Sequence, residues 1–198
     1  MAGTAAKPSN WNAPNIITGV RILATPFFIW MLLADDGRMG ALRWAAAVFF
    51  VAAIATDAWD GYLARSRGLV TDLGKLLDPI ADKFLTGGAL VGLSILSELP
   101  WWVTIVVLVR EISVTVHRLF EARSVVLAAA WMGKLKTVAQ SVAIALALFP
   151  FAALLGGWVN WVNAATMTIA VALTIASGID YIVNVARLGR AGAAGDQR

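Results

Sequence analysis

The sequence predicts an all-α, polytopic membrane protein: six transmembrane helices preceded by a short N-terminal interfacial segment. Three observations lead there. Of the 198 residues, 60% are hydrophobic and only 14% charged, a balance that soluble domains of this length rarely show. Apolar runs recur from end to end, at 16–33, 42–55, 84–96, 101–109, 138–155 and 161–185. Several reach the roughly 18–20 residues that cross a bilayer as a helix, and the shorter ones reach it if their polar ends are helical and face protein. Finally, Trp11, Trp44, Trp101, Trp102, Trp158 and Trp161 fall at the ends of these runs, where an amphipathic indole favours the headgroup zone.

The elements follow in chain order. Residues 1–13 are polar and small, with Lys7 and Pro8 among them, and read as the cytoplasmic or interfacial segment. Pro14, Asn15 and Thr18 open the first helix, with Asn15 as the expected N-cap. This run is not a cleavable signal: it lacks a small-residue cleavage site and carries Arg21 in its first turns. Residues 34–40 form a short outer turn in which Asp35 and Asp36 are expected to be solvated. The second helix runs inward to a group of aspartates, 66–74 is a polar loop, and the third helix returns outward. After an outer turn at 97–100, the fourth helix ends inside at 118–123. An amphipathic stretch, 125–136, leads to the fifth helix, and Gly156-Gly157 breaks the chain before the sixth. One membrane domain thus covers 14–188, with 189–198 as a cytoplasmic tail. Cysteine is absent, which excludes disulfides and thiolate zinc sites.

Basic residues set the expected orientation. With the N-terminus in the cytoplasm, all of the 16 Lys and Arg except Arg38 and Arg43 fall on or near the cytoplasmic side, as positive-inside topology requires. Both termini, and the loop that follows the second helix, then lie inside a multi-pass protein of the cell (inner or plasma) membrane. Nothing in the chain suggests nucleic acid.

The chemistry concentrates at Asp57, Asp60, Asp78 and Asp82, a third of the 12 acidic residues within one short stretch. A charged side chain at the centre of a membrane helix costs roughly 2.5–3.5 kcal/mol even on lenient scales, and four carboxylates together also repel. Something positive must hold them. Asp57 and Asp60 are three apart and share a helix face, which Gly61 and Ala64 keep small one turn on. Asp78 and Asp82 are four apart on the next helix, with Gly74 one turn earlier. Antiparallel helices joined by a short loop bring the two pairs to one cytoplasmic-end site. Four carboxylates can take one or two hard cations, Mg²⁺ or Mn²⁺, through oxygen, while Arg65 and Lys75 suit phosphate. Metal, arginine and small residues together are the equipment of phosphoryl transfer.

Residues 57–82 resemble the signature of the CDP-alcohol phosphatidyltransferase family, Asp-x₂-Asp-Gly-x₂-Ala-Arg-x₈-Gly-x₃-Asp-x₃-Asp. Every specified position is filled, by Asp57, Asp60, Gly61, Ala64, Arg65, Gly74, Asp78 and Asp82. The resemblance implies that Asp57, Asp60 and Asp78 ligate metal, and that Asp82 completes a second metal site and acts as base on the acceptor hydroxyl. It implies that Gly61, Arg65 and Thr71, beside Gly74, hold the nucleotide of CDP-diacylglycerol. It further implies attack on the β-phosphorus with loss of CMP, a divalent-ion requirement, and a homodimer among membrane lipid.

The acceptor alcohol is a separate question. Arg110, Arg118, Arg123, Lys134 and Lys136 fall at cytoplasmic helix ends, either as a grip on a phosphorylated alcohol or as positive-inside determinants and contacts to anionic lipid. Arg110, next to Glu111 and a long apolar run, is expected to point inward to a partner. Three segments resemble the phosphatidylglycerophosphate synthase branch of the family: Pro14-Asn15-x₂-Thr18-x₂-Arg21, Arg110-Glu111-Ile112-x-Val114-Thr115, and Gly133 to Thr137. Ser177 to Tyr181 is similar too. That branch implies glycerol 3-phosphate as acceptor, Asn15, Thr18 and Arg21 near the nucleotide, and Arg110, Arg118, Lys134 and Lys136 at the acceptor phosphate. Inositol phosphate, phosphatidylglycerol and serine are the rival acceptors within the family. A divalent-cation transporter is the rival from another class; no acidic pair continues toward the outer face to support it. His117, the single histidine, reads as a polar neighbour, Asp180 as a structural partner or cap, and Trp59 as a packing residue.

Overall fold

The computed structural model describes residues 12–66, 68, 71–120 and 130–195. Among them the fold is all-helical, with seven helices: α1 (Ala13–Asp35), α2 (Ala41–Ser66), α3 (Asp72–Ile95), α4 (Trp101–Phe120), α5 (Ala130–Leu148), α6 (Phe151–Leu155) and α7 (Trp158–Gly195). The six long ones answer to the six apolar runs, and α6 is one extra turn. Three stretches, 13–35, 41–64 and 158–187, are long and apolar enough to cross a membrane. Charged residues inside α3, α4 and α5 set those three helices apart. The expected interfacial segment before residue 12, and Arg123 with most of the amphipathic stretch before α5, lie outside the described residues.

Two compact units organise the chain, residues 1–96 with 148–150, and 97–147 with 151–198. In the first unit α1 packs on both α2 and α3. The start of α1 differs from expectation in an informative way. Asn12, not Asn15, is the N-cap: its side chain accepts the Asn15 backbone N–H at 3.0 Å, and Pro14 in the first turn needs no acceptor. The Asn15 side chain is thereby released for a distant contact. Asp36 closes the helix in the left-handed region at φ 51°.

The outer turn also departs from the solvated reading. Asp35 is buried and accepts the backbone N–H groups of Met39 at 2.8 Å and Gly40 at 2.9 Å. It satisfies donors that the start of α2 would otherwise leave open. Arg43, counted as an outer charge, is fully buried, and its Nε donates to the Leu148 carbonyl at 2.7 Å.

Along α1 the usual distribution of polarity is inverted. Asn15, Thr18, Arg21 and Thr25 face the interior, Arg21 only 5% exposed, while Val20, Leu23, Phe27 and Trp30 face outward, Leu23 81% exposed. An apolar exterior and polar interior make sense where the surroundings are lipid. The protein is a membrane protein. Close helix contact comes from glycine: a Cβ at Gly92 of α3 would sit 2.6 Å from Leu32 Cδ2. Below that contact Phe28, fully buried, stacks on Phe49 and tilts against Phe50, centroids 5.9 and 6.0 Å away.

In the second unit α4 and α6 pack on α7. Gly156, at φ +97°, makes the break between α6 and α7 that the glycine pair predicted. α7 then continues as one helix to Gly195, taking in most of the expected tail.

Phe28→Ala is expected to destabilise the first unit by about 3–5 kcal/mol, the usual cost of emptying an aromatic core position. Thermal unfolding in detergent micelles measures it, and an unchanged midpoint would show that α1 is not held through this cluster.

Candidate active site

The inner face of α1 places its side chains at 15, 18 and 21, about one turn apart, and each reaches a different part of the aspartate motif. Asn15 Nδ2 donates to Thr71 Oγ1 at 2.8 Å. Thr71 is the N-cap of α3, its hydroxyl oxygen accepting the Gly74 N–H at 3.0 Å. Gly74 is required by this approach: a Cβ there would lie 2.6 Å from Asn15 Oδ1 and 3.3 Å from Thr71 Oγ1. One turn on, the Thr18 hydroxyl lies 3.0 Å from Asp78 Oδ1 and 3.1 Å from the Pro14 carbonyl, its proton shared between them.

Arg21 completes the set. Its guanidinium forks across the first acidic pair, Nη1 donating to Asp57 Oδ1 and Nη2 to Asp60 Oδ2 at 2.9 Å. Arg21 and Asp60 are buried, while the Asp57 side chain is 41% exposed. The planar fork suits two carboxylates one helical turn apart. Arg21 Nε is buried without a hydrogen-bond partner.

Asp57 and Asp60 on α2 and Asp78 on α3 are thus gathered by α1. Asp57 feels the charges of Asp78 and Asp82, and Asp60 those of Asp57 and Asp78, so the four sequence-predicted acids share one electrostatic neighbourhood. Asp78 is exposed. Asp82 is partly exposed and meets Lys83 Nζ at 2.6 Å. Gly61 is half-buried beside Asp60. The side chains of Arg65 and Lys75 lie outside the described residues.

The donor set, carboxylate oxygens, fits a hard divalent ion in kind. Among the described residues no three acids converge on one ligating point; the cation in contact with Asp57 and Asp60 is the Arg21 guanidinium.

In the second unit a second charged cluster joins three helices. Glu111 of α4, 4% exposed, accepts from Arg110 Nη1 at 2.9 Å and from Lys136 Nζ of α5. Arg110 Nη2 donates to Ser177 Oγ of α7 at 2.9 Å. Arg110 therefore does point inward to partners, as expected. Lys136 is buried and Lys134 exposed, so these two near neighbours lie on different faces of α5. The Arg118 side chain lies outside the described residues. His117 Nδ1 meets the Tyr181 hydroxyl at 2.7 Å, in keeping with a polar neighbour, and Trp59 is exposed on the outside.

Sequence reasoning undervalued Glu111 and Ser177. The adjacency of Arg110 and Glu111 in an apolar helix was the available signal, since buried opposite charges next to each other must share partners. Ser177 was marked only by its place in the resembling segment from Ser177 to Tyr181.

The site is thus a set of clustered carboxylates joined by an arginine fork among apolar helices of a membrane protein. The family model for CDP-alcohol phosphatidyltransferases matches residues 11–176, and the chain belongs to that family. It is similar to the probable phosphatidylglycerophosphate synthase of Mycobacterium tuberculosis, 44% identical over 176 residues that cover 89% of this chain and 82% of the relative. It also matches proteins named CDP-diacylglycerol–glycerol-3-phosphate 3-phosphatidyltransferase. That of Bacillus subtilis is 38% identical over 86% of this chain and 93% of the relative. That of Escherichia coli is 35% identical over 87% and 93%.

Gly74→Ala is expected to cost about 1–3 kcal/mol through overpacking, because Asn15 must leave Thr71 to admit the methyl group. Gly19→Ala, with open space around the new Cβ, serves as control and gains up to about 1 kcal/mol of helix propensity. Equal melting temperatures for the two variants would remove the Asn15–Thr71–Gly74 contact as a constraint.

Proposed function

We propose that the protein transfers the phosphatidyl group of CDP-diacylglycerol to sn-glycerol 3-phosphate, giving phosphatidylglycerol phosphate and CMP. The carrying observation is the complete aspartate signature, gathered by Asn15, Thr18 and Arg21 in a chain whose relatives bear that activity in their names.

In this reading Asn15, Thr18, Arg21, Gly61, Arg65, Thr71 and Gly74 form the CDP-diacylglycerol site. Gly61 leaves backbone open to the nucleotide, Gly74 lets Asn15 and Thr71 close together, and Arg21 and Arg65 supply positive charge for the diphosphate. Asp57, Asp60, Asp78 and Asp82 hold one or two Mg²⁺ or Mn²⁺ ions, which when bound neutralise charge on the diphosphate. Arg21 must then give up part of its hold on Asp57 and Asp60. Arg110, Arg118, Lys134 and Lys136 bind the acceptor phosphate. Asp82 takes the proton from the acceptor hydroxyl as its oxygen forms a bond to the β-phosphorus. The bond from that phosphorus to the bridging oxygen breaks, and the electron pair leaves with CMP. Lys83, paired with Asp82, orients the carboxylate. The reading includes six membrane crossings, cytoplasmic termini and active site, a homodimer, and surrounding membrane lipid.

Purified protein supplied with CDP-diacylglycerol, Mg²⁺ or Mn²⁺ and one acceptor at a time is expected to release CMP with glycerol 3-phosphate. Release with inositol phosphate, phosphatidylglycerol or serine instead would overturn the acceptor. Chelation is expected to abolish release and either ion to restore it; full activity in chelator would remove the metal. Asp82→Asn is expected to lower turnover by roughly 10²-fold or more, the lower range for loss of a general base, while CDP-diacylglycerol binding survives. Wild-type turnover in that variant would take the base role from Asp82.

A further inference from the structure

The cluster at Arg110 distinguishes two readings that the sequence left level. A lysine or arginine serving only membrane topology has no reason to be buried, because its long stem lets the charge reach the interface. Arg187 behaves in that way and is exposed. Lys136 is 3% exposed and the Arg110 side chain 14%, and both are drawn onto Glu111. Burying such a network costs desolvation and is weak as a stabilising device. What it does achieve is a fixed geometry for two cations that would otherwise repel.

Arg110 is fixed from three sides. Nη1 is held by Glu111 of its own helix and Nη2 by Ser177. Ser177 Oγ is itself oriented, donating to the Thr174 carbonyl at 3.0 Å. The stem crosses α7 at Gly178, where a Cβ would stand 3.3 Å from Arg110 Cγ. Nε is buried with no partner, so one donor of the guanidinium is left over. Lys136 reaches the same carboxylate from α5, and its helix brings Gln140 one turn on, with Oε1 also buried and unpartnered.

We infer that Glu111 is the positioning residue of the acceptor-phosphate site: one buried carboxylate sets the spacing and orientation of Arg110 and Lys136 so that together they recognise a phosphomonoester. This rests on the proposed transfer to glycerol 3-phosphate. Arginine supplies the directional grip and lysine the point charge, and Glu111 is the contact that the two share. Ser177 and Gly178 are the supporting contacts.

The test separates Michaelis constants. In Glu111→Gln, the oxygen that accepts from both cations becomes a neutral carbonyl, and the negative charge that holds Arg110 and Lys136 together is lost. The KM for glycerol 3-phosphate is expected to rise roughly tenfold or more, the KM for CDP-diacylglycerol to stay within about twofold, and the melting temperature to remain near wild type. Glu111→Asp is expected to recover part of the loss. Ser177→Ala, a mild change, is expected to raise only the glycerol 3-phosphate KM, by about threefold. An unchanged glycerol 3-phosphate KM in folded Glu111→Gln and Ser177→Ala, or equal rises for both substrates, would overturn the inference. If Glu111→Gln does not fold, Ser177→Ala decides alone. Wild-type protein that releases no CMP with glycerol 3-phosphate would instead sink the transfer reading itself, a distinct result.

Discussion

Charge buried in an apolar bundle must be paired, and the first unit depends on how Arg21 meets that constraint. Its fork ties Asp57 to Asp60, so two carboxylates on one face of α2 are held without unopposed repulsion. An unpaired acid at either position would drive α2 away from α1 or take up a proton. The geometry of the fork also fixes which face of α1 looks inward. Once Arg21 is placed, Thr18 lies one turn away over Asp78 and Asn15 over Thr71. The apolar face of α1, with Leu23, Phe27 and Trp30, is left on the outside.

The same constraint explains small features that look unrelated. Asn12 caps α1, which releases Asn15 to reach α3. Thr71 caps α3 and receives Asn15, so a helix terminus and an interhelical contact share one hydroxyl. Gly74 completes the arrangement because the amide of Asn15 rests where any side chain would stand. Through such contacts the residues around the acids are positioned by backbone geometry as well as by charge, and the carboxylates inherit that order.

Much of this was legible in the sequence. The places of the six long helices followed from the apolar runs, and the break at 156–157 from paired glycines; the short α6 did not. The facing of Asp57 with Asp60 followed from helical period. Less legible was anything requiring knowledge of which side chain lies opposite. Asp35 read as a solvated charge of the outer turn, and Arg43 as one of the two outer cations. The structure buries both, Asp35 under the amides of Met39 and Gly40 and Arg43 against the Leu148 carbonyl. Run length says nothing of such local satisfaction. Nor could spacing reveal that α1 lies against both α2 and α3 and contacts Asp57, Asp60 and Asp78; a short loop suggested direct contact. The division of Lys134 from Lys136 was equally hidden, since two residues in a row of cations differ only by the face they occupy.

The two units solve the burial of charge with opposite arithmetic. In the first, one guanidinium serves two carboxylates, with Asp78 and Asp82 in electrostatic reach. In the second, one carboxylate serves two cations. Under the proposed function the first cluster meets positive charge at Asp57 and Asp60, and the second a phosphate at Arg110 and Lys136. In each, the shared residue sets the spacing of the two charges it contacts. Arg21 plays that part in one unit and Glu111 in the other.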